Sequence, residues 1–349
     1  MNKPVIGITM GDPAGIGPEV IVKTLLKSNI GKLCIPLIIG GKRFIEKEIL
    51  NLCRGTKFCA PTINVVNRIE GTKDEAGVIN IFDLHNADPR KIPIGRVSAS
   101  AGKAAVEYID KAVELVKSGG IQAIVTAPIN KEAVHLAGLK FPGHTEYLAH
   151  LINTKHFAMM LAGGNLRVVL VTTHLAIKYV AKSLNIENVY WTIFVTYKSL
   201  QNRFGIKRPK VAVCSLNPHG GEGGLFGDEE KRIIIPAIKK IEKQDIKVDG
   251  PLPSDTLFVK ANKGLYDAVV CMYHDQALIP LKMASFGKAV NITLGLPFVR
   301  TSVDHGTAFD IAGKGVADTG SMEEAIKLAT EIVKSIEHGE REFPLTIEH

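Results

Sequence analysis

The sequence has little that would suit an oxidising or membrane environment. It contains five cysteines, an odd number, and no CxxC pair. This argues against a disulfide framework and a zinc ribbon, and it fits a protein kept in a reducing compartment. No apolar run is long enough to span a bilayer, and Asp12 and Pro13 come too early for a signal peptide. We therefore expect a cytoplasmic protein with no membrane partner.

Aromatic residues are scarce at 6% of the chain, with a single Trp, although the formal net charge is +8. Proteins that bind nucleic acids concentrate basic residues in patches and stack bases on aromatic side chains. Here Lys and Arg are scattered, and stretches such as 239–247 are typical of solvated helix faces. The composition predicts no nucleic-acid partner and is compatible with an anionic substrate.

Several common site motifs are also absent from the sequence. It contains no HExxH and no GxxxxGK[ST], so neither that metalloprotease motif nor a P-loop is indicated. The segment Gly11–Glu19 follows a predicted strand and opens a predicted helix, but it lacks the third glycine of GxGxxG. The standard dinucleotide-binding fingerprint is therefore not indicated either.

The chain does contain a regular alternation of short β-branched runs and helical patterns. This alternation predicts an α/β fold with mostly parallel sheets, and 349 residues suit two domains. We predict a first domain from residues 1–130 and 300–349 and a second domain from residues 131–299. The predicted strands are Val5–Met10, Ile35–Ile39, Ile63–Val66, Ala123–Thr126, Val168–Thr173, Val211–Leu216, Ala268–Tyr273 and Val290–Leu294.

Three of the predicted strands are each followed by a histidine, namely His174, His219 and His274. Because ligands of parallel sheets gather at the carboxyl ends of strands, the loops there would bring the three imidazoles toward one cleft. Three imidazoles with an open coordination position form a catalytic divalent-metal site. For each histidine taken alone, a hydrogen bond near a turn is the better explanation, but the equivalent positions of all three favour the metal.

Two further groups of residues suit an anionic ligand. His144 and Thr145 would lie at a helix N-terminus, where free N–H groups attract anions; an ordinary helix start with Thr145 as N-cap is the alternative. Lys282, Asn291 and Arg300 form a set suited to phosphate or carboxylate, with surface charge as the alternative for the two basic residues. An asparagine inside a predicted strand needs a polar partner.

The stretch from His305 to Gly315 is too rich in glycine and polar residues to be core. Glycines let a ligand approach the backbone closely, so this stretch predicts a loop that binds a cofactor.

Together these segments resemble the 4-hydroxythreonine-4-phosphate dehydrogenase family of vitamin B6 biosynthesis. The stretch from His305 to Gly315 and the segment that ends at Glu19 also resemble isocitrate and isopropylmalate dehydrogenases. This second resemblance implies two α/β/α domains with the active-site cleft between them. The motifs that carry the family resemblance are Gly11–Glu19, Phe141–Tyr147, Val171–Leu175, Asn217–Gly224, Gly250–Leu257, Met272–Lys282 and Asn291–Gly306.

The resemblance implies roles for particular residues, and a homodimer that shares its active site. The metal, one divalent Zn, Mg or Co ion, would be held by His174, His219 and His274. The phosphorylated hydroxy amino acid substrate would contact His144, Thr145, Lys282, Asn291 and Arg300. NAD or NADP would lie near Gly306, Thr307 and Asp310. The candidates for the general base are Asp255 and Lys282.

The expected reaction is oxidation of 4-phosphooxy-L-threonine at its C3 hydroxyl, followed by decarboxylation. One alternative is a relative that acts on 4-phospho-D-threonate or 4-phospho-D-erythronate in sugar-acid catabolism. Two others belong to different classes: a metal-dependent hydrolase, in which three histidines activate water, and a non-catalytic protein that binds a phosphorylated ligand. The loop from His305 to Gly315 argues against the hydrolase, because a hydrolase needs no nucleotide.

Overall fold

The computed structural model describes residues 3–53, 60–141, 143–285 and 287–338. Pro142, which belongs to the motif around His144, lies outside the described residues.

The chain divides into two compact units. The first unit comprises Met1–Asn153 and Phe298–Lys334, and the second comprises Thr154–Pro297 and Ser335–His349. Each unit is an α/β structure built on its own set of strands.

The strands are β1 (Val5–Thr9), β2 (Ile35–Gly40), β3 (Thr62–Val65), β4 (Val78–Asp83), β5 (Ala123–Thr126), β6 (Ala158–Gly163), β7 (Leu166–Leu170), β8 (Val211–Cys214), β9 (Val248–Leu252), β10 (Ala268–Cys271), β11 (Val290–Leu294) and β12 (Val299–Val303). The helices are α1 (Gly17–Lys27), α2 (Ile30–Leu33), α3 (Lys42–Cys53), α4 (Ala99–Lys117), α5 (Lys131–Leu136), α6 (His144–Leu151), α7 (Ile177–Ser183), α8 (Ile186–Asn202), α9 (Ile235–Glu242), α10 (Ser254–Asn262), α11 (His274–Ser285) and α12 (Gly320–His338). None of these helices combines the length and apolarity that a membrane crossing requires.

The sheet of the first unit has the order β3-β4-β2-β1-β5-β12, and its strands pair in parallel. All four residues of β5 are buried, which is why this strand reads as a continuous apolar run rather than an alternating one. β12 was not predicted, because its buried residues include Arg300, Thr301 and Ser302. Arg300 therefore lies inside a strand.

The helices of the first unit begin and pack as their sequences direct. Ser98 accepts a hydrogen bond from the backbone N–H of Ala101 at 3.2 Å and so caps α4. A Cβ on Gly102 would lie 2.1 Å from the carbonyl oxygen of Ala133, so only glycine permits the close approach of α4 and α5. α5 and α6 both pack against α4, and residues 131–153 consequently belong to the first unit.

The sheet of the second unit has the order β11-β6-β7-β10-β8-β9. β7, β10, β8 and β9 run parallel, and β6 is antiparallel to both of its neighbours. Because β7, β10 and β8 are parallel neighbours, the loops that follow them leave the same edge of the sheet. Both sets of strands confirm the prediction of an α/β fold with mostly parallel strands.

Candidate active site

Arg300 provides a buried positive charge in the first unit. It lies in β12 beside Ile124 of β5 and is only 1% exposed. Its Nη2 donates a hydrogen bond to Thr126 Oγ1 at 2.6 Å. Burial lowers the pKa of Arg300 to about 9, although the charge of Glu146 opposes this effect. The guanidinium therefore stays protonated at neutral pH.

The N-terminus of α6 lies near this charge. Gly143 is the N-cap and contributes no side-chain hydrogen bond, so the interpretation of Thr145 as N-cap is wrong: Thr145 is the second helical residue. Nε2 of His144 is buried and forms no hydrogen bond with any described residue. Burial, and then the charges of Arg300 and Lys131, hold the pKa of His144 well below its usual range. A neutral imidazole, a helix N-terminus and a guanidinium together suit an anionic group.

Asp12 is a buried carboxyl that sequence reasoning did not single out. It follows β1, and its Oδ1 accepts the backbone N–H of Ala14 at 2.9 Å. Its Oδ2 is buried and has no hydrogen-bond partner among the residues described. Burial raises the pKa of Asp12 to about 6, against the lowering effect of backbone hydrogen bonds. Its position directly after a strand, within the segment Gly11–Glu19, was the available signal.

The predicted cofactor loop lies against glycines of the first unit. The backbone N–H of Ile16 donates to the Thr307 carbonyl at 3.0 Å. A Cβ on Gly15 would lie 2.9 Å from that carbonyl oxygen, so this contact requires glycine. At Gly306, in contrast, a Cβ would meet no described atom within 4 Å, and Asp310 is exposed. The loop therefore has a fixed side and an open side.

A buried ion pair of α1 holds the end of this loop. The Glu19 carboxylate accepts the backbone N–H groups of Ala317 at 2.7 Å and of Gly315 at 3.2 Å. Lys23 Nζ donates to the carbonyls of the same two residues, and it lies 3.4 Å from Glu19 Oε1. Glu19 and Lys23 thus act on the backbone of a segment almost 300 positions away, which no local sequence pattern could show.

Two of the three predicted metal ligands lie together in the second unit. The ring centroids of His174 and His274 are 5.6 Å apart, and the rings are tilted by 45°. Nδ1 of His274 lies 2.7 Å from Asp275 Oδ1. A carboxylate on one ring nitrogen orients the imidazole and leaves the other nitrogen for a ligand. This arrangement is compatible with a metal-binding histidine pair.

His219 lies in a turn with an unusual backbone. Residues 219–223 all have positive φ, including His219 at 54° and Glu222 at 42°, a region that side chains other than glycine enter at a cost. His219 is exposed, and its Nδ1 lies 3.3 Å from Glu222 Oε2. Within the described part of this single chain, no three His, Cys, Asp or Glu side chains are grouped closely enough for a metal ion.

The turn that carries His219 is attached to a buried carboxylate. Glu230 Oε1 accepts the backbone N–H groups of Leu216 and Asn217, both at 2.8 Å, and Oε2 accepts Asn217 Nδ2 at 2.9 Å. Glu230 begins a π-helical turn, Glu230–Ile234, that leads into α9. Its role could not be read from the sequence, where it belongs to a run of charged residues.

The remaining predicted residues of the second unit occupy three different elements. Asp255 is exposed in the first turn of α10, and Lys282 is exposed in the last turn of α11. Asn291 lies in β11, and its Oδ1 is buried without a hydrogen-bond partner among the described residues. Among the described residues, the polar partner expected for an asparagine inside this strand is therefore not found at Oδ1.

Relatives that match this chain over nearly its full length are dehydrogenases. The 4-hydroxythreonine-4-phosphate dehydrogenase of Desulforapulum autotrophicum is 48% identical over 328 residues, which are 94% of this chain and 95% of the relative. The D-threonate 4-phosphate dehydrogenase of Cupriavidus necator is 47% identical over 331 residues, 94% of this chain and 97% of the relative. The crystal structure of 4-hydroxythreonine-4-phosphate dehydrogenase from Klebsiella pneumoniae superposes with a TM-score of 0.88 at 42% identity, covering 95% of this chain and 98% of that one.

The protein is an oxidoreductase of the dehydrogenase class, whose cofactor is of the nicotinamide type. It belongs to the family described as Pyridoxal phosphate biosynthetic protein PdxA, whose model matches residues 32–329. The family resemblance and the dehydrogenase prediction are confirmed, and the hydrolase alternative gains no support.

Proposed function

We propose that the protein oxidises the C3 hydroxyl of 4-phosphooxy-L-threonine with NAD or NADP in pyridoxal and pyridoxine phosphate biosynthesis. Loss of carbon dioxide would then give 3-amino-2-oxopropyl phosphate. The names of the Desulforapulum and Klebsiella relatives support this substrate. The structural observation that carries the proposal is Arg300, a buried guanidinium close to the neutral His144 and the α6 N-terminus. This arrangement suits a phosphate or carboxylate group.

The chemistry of the donor set fits a divalent metal, Zn, Mg or Co, held by His174, His219 and His274. The spacing of His174 and His274 and the orientation of His274 by Asp275 support this assignment. Imidazole donors suit Zn or Co better than Mg. When bound, the ion would act as a Lewis acid that lowers the pKa of the substrate hydroxyl.

A homodimer with a shared active site completes the proposal. Large apolar side chains are exposed near the proposed ligands: Ile177 follows His174, and Leu225 and Phe226 follow His219 at 80% and 56% exposure. Large apolar side chains that are exposed in one chain are candidates for burial at an interface, and a second copy of the chain is the proposed partner. Some of the metal ligands would then come from each subunit.

The protein's own side chains would bind the substrate and move its proton. Arg300, Lys282 and Asn291, with the helix start at Thr145, would hold the charged and polar ends of the substrate. Asp255 or Lys282 would take the proton from the C3 hydroxyl. NAD or NADP would be bound near Gly306, Thr307 and Asp310, and its nicotinamide would supply the hydride acceptor.

A second candidate substrate is 4-phospho-D-threonate or 4-phospho-D-erythronate. The Cupriavidus relative, a D-threonate 4-phosphate dehydrogenase, is as similar to this chain as the relative from Desulforapulum. The two types of substrate share the phosphate, the C3 hydroxyl and the carboxylate, and differ in an amine or a hydroxyl at C2. The residues named above would bind the shared groups of both.

The experiment is a turnover assay with the full chain, loaded with Zn²⁺ or Co²⁺ and supplied with NAD or NADP. Reduced-cofactor absorbance would be followed with 4-phosphooxy-L-threonine, 4-phospho-D-threonate or 4-phospho-D-erythronate, before and after chelation. We expect the fastest reduction with the threonine derivative and its loss on chelation. A preference for either sugar acid would indicate a role in sugar-acid catabolism and would leave the proposed metal site unchanged. Turnover that continues after chelation would overturn the metal assignment.

A further inference from the structure

Gln276 is a buried amide that bonds to three separate segments of the second unit. It is the third residue of α11 and is 8% exposed. Its Oε1 accepts the backbone N–H of Met272 at 2.7 Å. Its Nε2 donates to the Ser215 carbonyl at 2.6 Å and to Ser254 Oγ at 2.7 Å. Both hydrogens and one of the two oxygen lone pairs are therefore used, so the amide forms three of the four hydrogen bonds of which it is capable.

Each partner of Gln276 lies close in sequence to a residue of the proposed active site. Met272 is two residues before His274, at the end of β10. Ser215 is four residues before His219, at the end of β8. Ser254 begins α10 and directly precedes Asp255. One amide thus joins three segments, one turn and two helix starts, that would carry two metal ligands and a candidate base.

A hydroxyl extends this network to the third histidine. Thr172 Oγ1 donates to the Met272 carbonyl at 2.7 Å, and the Thr172 backbone N–H reaches the same oxygen at 3.2 Å. Thr172 is two residues before His174. The N–H of Met272 is therefore fixed by Gln276 and its C=O by Thr172, so the backbone before His274 is held from both sides.

Other side chains of this size could not replace the amide. Met or Leu offers neither donor nor acceptor, and an ionised Glu offers no hydrogen to Ser215 or Ser254. Asn keeps the amide but is one methylene shorter, and bonds of 2.6–2.7 Å leave it no slack to reach all three partners. The site therefore requires glutamine for a reason that packing alone does not supply.

We propose that Gln276 is a positioning residue that sets the spacing of three segments: the turn bearing His219, the start of α11 at His274 and the start of α10 at Asp255. It acts through its hydrogen bonds to Met272, Ser215 and Ser254 and does not touch the substrate. The inference rests on the proposed metal site. Groups that orient metal ligands from outside the coordination sphere typically change metal affinity by 10–100-fold when removed.

The test measures Co²⁺ affinity of the full chain from the visible absorbance of the bound ion, with no substrate present. We expect Gln276→Met to weaken Co²⁺ binding by about 10–100-fold. Gln122→Met is the matched control, because Gln122 bonds the Val5 N–H at 2.7 Å and the Gly119 carbonyl at 3.2 Å in the first unit. The control should bind Co²⁺ as the wild type does, even if both variants melt at a lower temperature.

The outcomes separate the two proposals. Wild-type Co²⁺ affinity in a folded Gln276→Met protein would overturn the positioning role alone. Failure of the wild type to bind Co²⁺, or binding that His174→Ala leaves unchanged, would overturn the metal site and this inference with it. If Gln276→Met does not fold, Gln276→Asn keeps the amide in a smaller side chain. It should bind Co²⁺ more weakly than the wild type, and equal binding would contradict the proposal.

Discussion

In the first unit, the end of the predicted cofactor loop is held by the ionised groups of Glu19 and Lys23, both buried in α1. In the second unit, the loops before His219 and His274 are joined by the neutral amide of Gln276. When one partner of a buried ion pair is removed, the other charge is left uncompensated inside the protein. Neutral hydrogen-bonding groups contribute less to the free energy of unfolding, and they do not titrate. The attachment by Glu19 and Lys23 and the attachment by Gln276 should therefore respond differently to substitution and to pH.

The largest effect is expected in the second unit, where a substitution of a proposed metal ligand should change turnover rather than stability. His219→Ala should lower turnover by about 10³-fold, because Lewis-acid polarisation is worth several kcal/mol of barrier and each 1.4 kcal/mol is roughly tenfold. Turnover and bound metal would be measured together, with the exposed His135→Ala in α5 as control. Full activity and full metal content in His219→Ala would exclude this histidine from the site.

In the first unit, the expected effect of a single substitution is mainly on stability. Lys23→Met removes the cation and leaves the Glu19 carboxylate buried, which should lower the free energy of unfolding by about 3–5 kcal/mol. The released loop should also raise the KM for the nicotinamide cofactor. Urea unfolding and cofactor kinetics would measure the two effects. Lys27→Met, at the exposed end of the same helix, is the control. An equal loss of unfolding free energy in the two variants would show that the buried pair contributes no more to stability than an exposed lysine.

Local sequence patterns predict those features of the two units that depend on residues close together in the sequence, and they miss those that depend on distant residues. β5, β8 and β10 were predicted because parallel strands buried on both faces are short apolar runs. β12 was missed because Arg300 and its polar neighbours are buried there for a ligand or a hydrogen bond rather than for packing.

The same limit applies to the candidate sites. The strand-end rule predicted that His174 and His274 would lie together, and the structure places their rings 5.6 Å apart. It could not predict the left-handed turn of His219, which depends on the backbone of a glycine-rich segment. Glu19 and Gln276 were missed because each bonds to backbone groups of distant or neighbouring loops, and such bonds leave no periodic pattern in the sequence.

In the first unit, the buried carboxyl of Asp12 should make stability depend on pH, which a neutral amide such as Gln276 cannot do. Burial raises the pKa of Asp12 to about 6, above the value of about 3.9 expected in the unfolded chain. The folded state therefore binds more protons at Asp12 between these values, and the contribution of Asp12 to the stability of the wild type falls as the pH rises from about 4 to 6. Asp12→Asn removes this titration. Its stability relative to the wild type should increase by roughly 3 kcal/mol between pH 4 and pH 7, as measured by urea unfolding across that range. A pH-independent difference would show that Asp12 is ionised without penalty in the fold.

The smallest effect is expected for a neutral group of the second unit, Thr172→Val. This change removes the hydroxyl that donates to the Met272 carbonyl, but the Thr172 backbone N–H still reaches the same oxygen. The free energy of unfolding should fall by only about 1 kcal/mol, by the same amount at pH 5 and pH 8. Thr196→Val is the matched control, since its buried hydroxyl donates to the Thr192 carbonyl at 2.6 Å within α8. Both variants should lose similar stability in urea, and only Thr172→Val should also weaken Co²⁺ binding, because only Thr172 lies two residues from a proposed ligand. A stability difference that varies with pH, as the difference for Asp12→Asn does, would show that the hydrogen bonds around Met272 also depend on ionised groups.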